Sequence, residues 1–530
     1  MSVVTEPVID LSPAIAVRNP RTGELLYTLD EASSADIERT YATARAAFRA
    51  VRAMSVRERI AETQKLQRYI LANKEAIISR IVAETGKSRM DALLSEIFTV
   101  LETIAFYSKN AEKMLADESV KTPVLLMGKQ SRIFYEPMGA VLVIVPWNYP
   151  FNLMLNPVLG AFLAGNSVII KPSEYTPLRG LVEDILDGSG FMKDAIQIVY
   201  GGKTTGQQLI DGRPAKILFT GSVRAGHKVM EQASKYLIPV ELELGGKDAM
   251  LVFEDANLDR AVNGAIWGGM SNSGQTCTAV ERVLVHESVY DTFVSSIKEK
   301  IEKLSNASGD AAKNDCGNLD VGCMTADFQV AIVQDQVADA MAKGATIVTG
   351  GKRIGDSHVF QPTVVTNVSD SMKIVREETF GPVLTIQKFK TEDEAVRMAN
   401  DSPYGLSGSV WSGDLARAER VARRIETGSV SINNVIATLA NPALPFGGVK
   451  DSGFGRYKGA HGLHAFSNIK SIMIDKPGAP NELNWYPYTK EKYGLFSKMM
   501  DAAYGGGFFA TLKAMLTGIK LQRLGKKQKL

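Results

Sequence analysis

The stretch 141–174, VLVIVPWNYPFNLMLNPVLGAFLAGNSVIIKPSE, decides the architecture of the chain. It opens on an unbroken apolar run, VLVIV at 141–145, and closes on another short run, SVIIK at 167–171. Such runs, rich in β-branched residues, read as strands buried on both faces. Between them, residues 153–163 carry a helical pattern that ends at Gly165. The same unit then recurs. IQIVY (196–200), KILFT (216–220) and IPVELEL (238–244) read as strands, while 178–186, a short segment after Lys203, and 224–235 read as helices. Strand and helix alternating at this spacing predict an α/β chain with a doubly wound, Rossmann-type parallel sheet.

Ligands of such sheets bind beyond the carboxyl ends of the strands. Here those ends carry Pro146-Trp147-Asn148-Tyr149-Pro150, Pro172-Ser173-Glu174, Gly221-Ser222-Val223-Arg224-Ala225-Gly226 and Gly245-Gly246-Lys247. Glycines opening the helix after KILFT suit a phosphate at a helix N-terminus, where amides and the macrodipole favour an anion. Lys171 and Glu174 offer a donor and a carboxylate to ribose hydroxyls. A carboxylate there disfavours a 2′-phosphate, so NAD is expected over NADP. Ordinary surface charges are the plainer reading of both residues.

Downstream lies SNSGQTC, ending at Cys277. A structural cysteine normally has apolar neighbours, and this one has threonine on either side. A nucleophilic thiol needs access, a base and an oxyanion donor. Glu243, between Leu242 and Leu244, is a carboxylate that is paired, turned to solvent, or poised as a base. Asn148 could offer its amide to an oxyanion or simply serve a turn before Tyr149-Pro150.

Elsewhere, residues 34–118 carry apolar residues at helical spacing, and LLMGKQSRIFYEPMG looks like a short hairpin with Gly128 near its turn. At 530 residues the chain calls for two or three domains. A net charge of +3 is too small to argue for nucleic acid. Cys277, Cys316 and Cys323 are too few for a disulfide framework, and Cys323 is expected on a surface loop. MSVVTEPVID has acidic residues and no apolar core flanked by positive charge, so it is not a signal peptide and a cytoplasmic protein is expected. No metal site is expected.

PWNYPF, IIKPSEYTP, FTGSVRAG, ELGGKD, SGQTC, EETFGPV and LPFGGVKDSGFGRYKG stand in the order found in the aldehyde dehydrogenase superfamily. NPRTGELL and AETGKS also look like that family, and the resemblance covers roughly residues 17–475. LPFGGVKDSGFGRYKGAHG and the WYPY tail look closest to its class 3-like branch, which includes fatty aldehyde enzymes. The resemblance implies an NAD(P)-binding domain at 1–123 and 138–244, and a catalytic domain at 245–450. It further implies small β oligomerisation segments at 124–137 and 451–480 and a homodimer or homotetramer, while a basic amphipathic tail at 481–530 extends past the matched core. Carried over residue by residue, it implies Cys277 as nucleophile, Glu243 as general base, and Asn148 with the Cys277 N–H as oxyanion donors. Lys171 and Glu174 would contact the adenosine ribose, and Gly221, Ser222 and Gly226 the pyrophosphate. Glu378 would hold the nicotinamide ribose, with Phe380 and Trp147 beside the cofactor's nicotinamide end. The implied reaction oxidises an aldehyde to a carboxylic acid through a thioester, with NAD as cofactor and NADP also admitted.

Tyr149, Phe151, Leu153 and IATLANPALPF (436–446) are largely apolar and contain no arginine, which favours hydrophobic aldehydes over a dicarboxylate semialdehyde. A semialdehyde dehydrogenase and a non-catalytic NAD-binding, membrane-associated scaffold are the alternatives. In the tail, Phe508, Leu512, Met515, Leu516 and Ile519 share one helical face, and residues 513–530 carry lysines and arginines without an acidic residue. The uncharged run 502–512 is too short to span a bilayer. Such a helix either lies on a membrane surface or packs on the protein.

Overall fold

The computed structural model describes residues 14–123, 126, 128–308, 315–477, 482, 484–506 and 508–527. The N-terminal stretch read for targeting lies outside the described residues. The chain divides into two units, 1–115 with 137–467, and 116–136 with 468–530.

The first unit holds two large sheets. One has six strands in the order Gly453–Phe454, Val240–Glu243, Lys216–Thr220, Ala140–Ile144, Ser167–Lys171, Ile196–Ile198. All neighbours are parallel except the short Gly453–Phe454 edge, which runs antiparallel to Val240–Glu243. The strand order reverses between Ala140–Ile144 and Lys216–Thr220, so the crevice for a ligand opens past Ile144 and Thr220. Both Ala140–Ile144 and Ser167–Lys171 are buried throughout, as their unbroken apolar runs require. Pro150–Leu163, with Pro150 in its first turn, fills the space on one face and is almost wholly buried.

The other sheet has seven strands in the order Thr346–Thr349, Thr363–Thr366, Val383–Phe389, Val280–His286, Asp248–Val252, Ser407–Trp411, Ser429–Ile432. Only the Thr346–Thr349 edge is antiparallel.

The doubly wound reading holds, with shifts that have local causes. The helix expected from 178 begins at Leu181, because Leu178 and Gly180 both take left-handed backbone angles after Pro177. The hairpin expected within 124–137 is larger. Gln130–Pro137 pairs with Glu118–Val120, upstream of the expected segment, and with Ser467–Ile474 in a three-stranded sheet of the second unit; residues 124, 125 and 127 lie outside the described residues. Residues 451–467, grouped from the sequence with the oligomerisation segments, sit in the first unit. There Gly453–Phe454 extends the six-stranded sheet, and Gly459–Ala465 packs on Pro150–Leu163. Cys323, expected on a surface loop, is buried against Gly86.

Asn166 ties together separate segments of the first unit. Its Oδ1 accepts from the N–H groups of Met138 (2.7 Å) and Gly139 (3.0 Å), and its Nδ2 donates to Ala161 O (3.0 Å) and Phe466 O (2.8 Å). Each buried backbone group stranded by Asn166→Ala costs about 1–3 kcal/mol. The variant is therefore expected to inactivate on heating several degrees below wild type, whereas an unchanged midpoint would show that water replaces the side chain.

Candidate active site

Hydrogen bonds tie the loops that follow strands of the first sheet to the loops that precede strands of the second. Asn148 Nδ2 donates to Gln275 O (3.0 Å). Tyr149 Oη meets Thr276 Oγ1 at 2.6 Å, and Gly246 N donates to Glu378 Oε1 at 3.0 Å. Glu243 ends one strand of the first sheet, and Cys277 sits just before Val280–His286 of the second. The residues singled out for chemistry thus line one crevice.

The thiol is reached through a strained turn. Helix Leu258–Met270 ends, and Asn272, Ser273 and Gly274 follow in left-handed conformation (φ 52°, 57° and 71°). At Gly274 a Cβ would strike the main chain of Gly381 and come within 2.8 Å of Pro382 N, so only glycine fits. Asn272 spans the turn, its Nδ2 donating to Asn148 O (3.0 Å) and Gln275 O (3.1 Å). Cys277 emerges half-buried, packed against the apolar cluster that contains Phe151, Phe446 and Tyr457. Burial, and then the carboxylates Glu378, Asp248 and Glu243, push its thiol far above the ordinary cysteine range; the Thr278 N–H works weakly against them.

Glu243 is 3 % exposed, and neither carboxylate oxygen has a hydrogen-bond partner among the described residues. Of the three readings the strand pattern allowed, pairing and solvent exposure are absent. Burial, helped by Glu241, raises its proton affinity well above the usual carboxylate range, against Arg456 and Lys458. Gly447 leaves space beside it, since a Cβ there would stand 2.9 Å from Glu243 Oε1 and 2.9 Å from Arg456 Nη1. Lys458 is buried nearby, donates to Leu439 O (2.9 Å), and is pushed down to about 8 by burial against the pull of Cys277 and Glu243. Asn148 is 3 % exposed; its Nδ2 spends one hydrogen on Gln275 O and retains a second.

The cofactor candidates occupy the same side. Lys171 ends its strand, buried, with Nζ 3.4 Å from Glu174 Oε2. Ser222 caps helix Val223–Ser234 through Ala225 N (3.3 Å). A Cβ at Gly226 would come within 2.7 Å of Leu244, so glycine lets this helix approach the sheet; Gly221 donates to Glu243 O (3.0 Å) in the turn. Glu378 is pushed up to about 8 by burial and by Glu281. Phe380 stands beside it at φ 50°, its N–H donating to Glu281 Oε1 (3.0 Å) and its ring edge-on to Trp147 at 5.3 Å. A helix N-terminus at the topological switch, a ribose-sized donor–carboxylate pair and a second carboxylate form a donor set that fits a dinucleotide.

Sequence reasoning did not single out Asn272, Gln275, Glu281, Lys458 or Lys87. Each is a polar side chain among ordinary loop or strand residues, and only its burial in the folded chain marks it. The raised thiol gives a direct test. Alkylation of Cys277 by iodoacetamide, followed by peptide mass mapping, should still accelerate above pH 10, where an unperturbed thiol has levelled off. A plateau at or below about pH 10 would contradict the burial argument.

Known proteins resemble this chain over most of its length. The family model described as "Aldehyde dehydrogenase family" matches residues 9–472. The 4,4'-diapolycopene aldehyde oxidase of a Methylomonas species is 41% identical over 493 residues, covering 93% of this chain and 91% of its own length. The glutarate-semialdehyde dehydrogenase of Pseudomonas putida is 32% identical, covering 88% and 95%. The NAD+ complex structure of an aldehyde dehydrogenase from Bacillus cereus superposes with a TM-score of 0.82 at 31% identity, over 87% of this chain and 93% of that one. The chain belongs to the aldehyde dehydrogenase family.

Proposed function

We propose that this enzyme oxidises hydrophobic aldehydes, aliphatic or aromatic, to carboxylic acids with NAD, through a thioester on Cys277 that Glu243 hydrolyses. The observation that carries the mechanism is Glu243, a buried carboxylate with both oxygens unpartnered among the described residues, in the crevice that holds the thiol.

Cys277 gives up its proton to solvent water, and the sulfur adds to the carbonyl carbon. The remaining Nδ2 hydrogen of Asn148 and the Cys277 N–H stabilise the oxyanion; loss of one such donor typically costs on the order of 10²–10³ in rate. Lys171 and Glu174 hold the adenosine ribose, Gly221, Ser222 and Gly226 admit the pyrophosphate, and Glu378, Phe380 and Trp147 frame the nicotinamide end. The bound cofactor supplies a hydride acceptor. Glu243 takes a proton from the water that opens the thioester, and burial makes it a stronger base than an ordinary carboxylate. The Glu174 carboxylate selects against a 2′-phosphate.

The substrate reading rests on the apolar cluster against which Cys277 packs, which contains Phe151, Phe446 and Tyr457 and also carries Leu153 and Leu439. It is supported by similarity to the 4,4'-diapolycopene aldehyde oxidase. The semialdehyde reading has a relative of that name and two nearby cations, but Lys458 donates to Leu439 O and Arg456 to Gly448 O and Gly455 O. We assign the six-stranded sheet to cofactor binding and the seven-stranded sheet to catalysis. The three-stranded sheet, whose outer strand exposes Ile469, Met473 and Ile474, suits pairing with a second copy in a homodimer or homotetramer.

Cys277→Ala should abolish NADH formation while cofactor still quenches tryptophan fluorescence. Glu243→Gln should give one rapid equivalent of NADH and then slow turnover. Unchanged steady-state turnover in Glu243→Gln would refute the base assignment. With wild type, decanal should exceed succinic semialdehyde in kcat/KM, with NAD preferred over NADP; the reverse order would reject the substrate reading.

A second reading concerns the tail. No helix among the described residues is long and apolar enough to cross a membrane. Helices Lys490–Tyr504 and Phe508–Lys527 pack together through Met499, Ala502, Ala514 and Leu521. Leu512, Met515 and Leu516 lie on the opposite side of the second helix, exposed, while the side chain of Phe508 lies outside the described residues. A second apolar face beside Lys513, Lys520 and Arg523 suits the surface of an anionic bilayer. The protein should co-sediment with phosphatidylserine vesicles and lose this with Leu512→Ser/Leu516→Ser; equal sedimentation of both would reject the reading.

A further inference from the structure

The buried charge pair Lys87–Glu96 stands apart from the groups used so far. Gly86 ends helix Lys74–Thr85 in the left-handed conformation (φ 72°), which turns the chain inward at Lys87. The side chains of Lys87 and Glu96 are both 0 % exposed. An ion pair withdrawn from water this completely seldom stabilises a fold more than an apolar pair of equal volume would. Its contacts point to position instead. Lys87 Nζ donates to Glu96 Oε1 (2.6 Å) and to Asn148 O (2.8 Å), and lies 4.2 Å from the centre of the Tyr149 ring. Glu96 lies in a π-helical stretch, Ala92–Phe98, and its Oε2 accepts from Asn152 N (2.8 Å) in the first turn of Pro150–Leu163. Wider helical turns of this kind often occur at functional sites.

These contacts converge on the two sides of the reaction centre. Asn148 is held at its carbonyl by Lys87 and Asn272 and at its amide by Gln275 O. Tyr149, whose ring rests on the ammonium, reaches Thr276, the residue before the thiol. We propose that Lys87 is a positioning residue: its buried ammonium, on the Asn148 carbonyl and beside the Tyr149 ring, sets the Asn148 amide in register with the Cys277 N–H, so that both donors meet one oxyanion. The proposal rests on the reading of Asn148 as oxyanion donor. Its energetic logic is that of preorganised donors, where a shift of about 1 Å can cost roughly 10²-fold in rate.

A double-mutant cycle on the single-turnover acylation rate tests it. Glu96→Gln serves as the background, so that no carboxylate is left stranded when the ammonium is removed. In that background Lys87→Met should lower acylation by roughly 10²-fold, with aldehyde KM and cofactor Kd near those of the background enzyme. Adding Asn148→Ala should bring the rate only to that of Asn148→Ala in the same background, because Lys87 acts through Asn148. Multiplying losses, or a fall in cofactor affinity that explains the rate, would overturn the proposal. A silent Asn148→Ala would instead overturn the oxyanion reading beneath it. If Lys87→Met does not fold, Lys87→Arg in wild type keeps the charge but not the compact donor geometry. It should fold and acylate slowly, and a wild-type acylation rate there would overturn the proposal.

Discussion

The connection Leu244-Gly245-Gly246-Lys247 is the constraint on which the site depends. It joins Glu243, the last residue of one parallel sheet, to Asp248, the first residue of the next strand in the other sheet. So short a link leaves no freedom to separate the two sheets, and what surrounds the two glycines leaves little room for a side chain. A Cβ on Gly245 would come within 2.9 Å of Glu378 Oε1, and one on Gly246 within 2.9 Å of Asp248 Oδ1. Lys247, fully buried, binds Glu281 and Thr379 Oγ1, and Glu281 in turn accepts from the N–H groups of Thr379 and Phe380. The link therefore places the carboxylate, orients the Glu378–Phe380 loop, and brings the ends of one sheet to the beginnings of the other.

The site is also where this protein buries ionisable groups at a cost. Glu243, Glu378, Asp248 and the Cys277 thiol are all shifted toward their neutral forms, first by burial and then by nearby carboxylates. Lys458 is shifted toward its neutral form by burial, while Cys277 and Glu243 oppose that shift. Groups that share a crevice in this way change charge as a set, so the proton taken by one alters the readiness of the others. Such an arrangement does little for stability, and it sits on a scaffold whose strands and central helix are conventionally apolar and buried.

What could be read from the chain divides along the range of the interactions involved. The strands at 167–171 and 216–220 match their runs to the residue, because a strand buried on both faces needs an unbroken apolar run, a purely local feature. The start of the Leu181–Ser189 helix depended on backbone angles at Leu178 and Gly180 that composition does not encode. The partner of Gln130–Pro137 lay upstream of the segment read as a hairpin, since register and pairing are set between segments remote in sequence. The tail's apolar face was legible as a periodicity. That a second face, Ala514 and Leu521, does the packing emerges only when helix meets helix.

By itself the sequence determined the layered α/β architecture, the punctuation at the strand ends and, through its ordered motifs, the family. These are carried by local runs and by short stretches whose residue types survive translation into a string. Only the tertiary structure decided that Glu243 is buried with its oxygens unpartnered, that Asn148 is held from three directions, that Cys323 is interior, and that Lys87 reaches the loop of Asn148. Burial and distance are properties of the folded chain. Residues far apart in number acquire chemistry together when the two sheets bring their ends to one crevice.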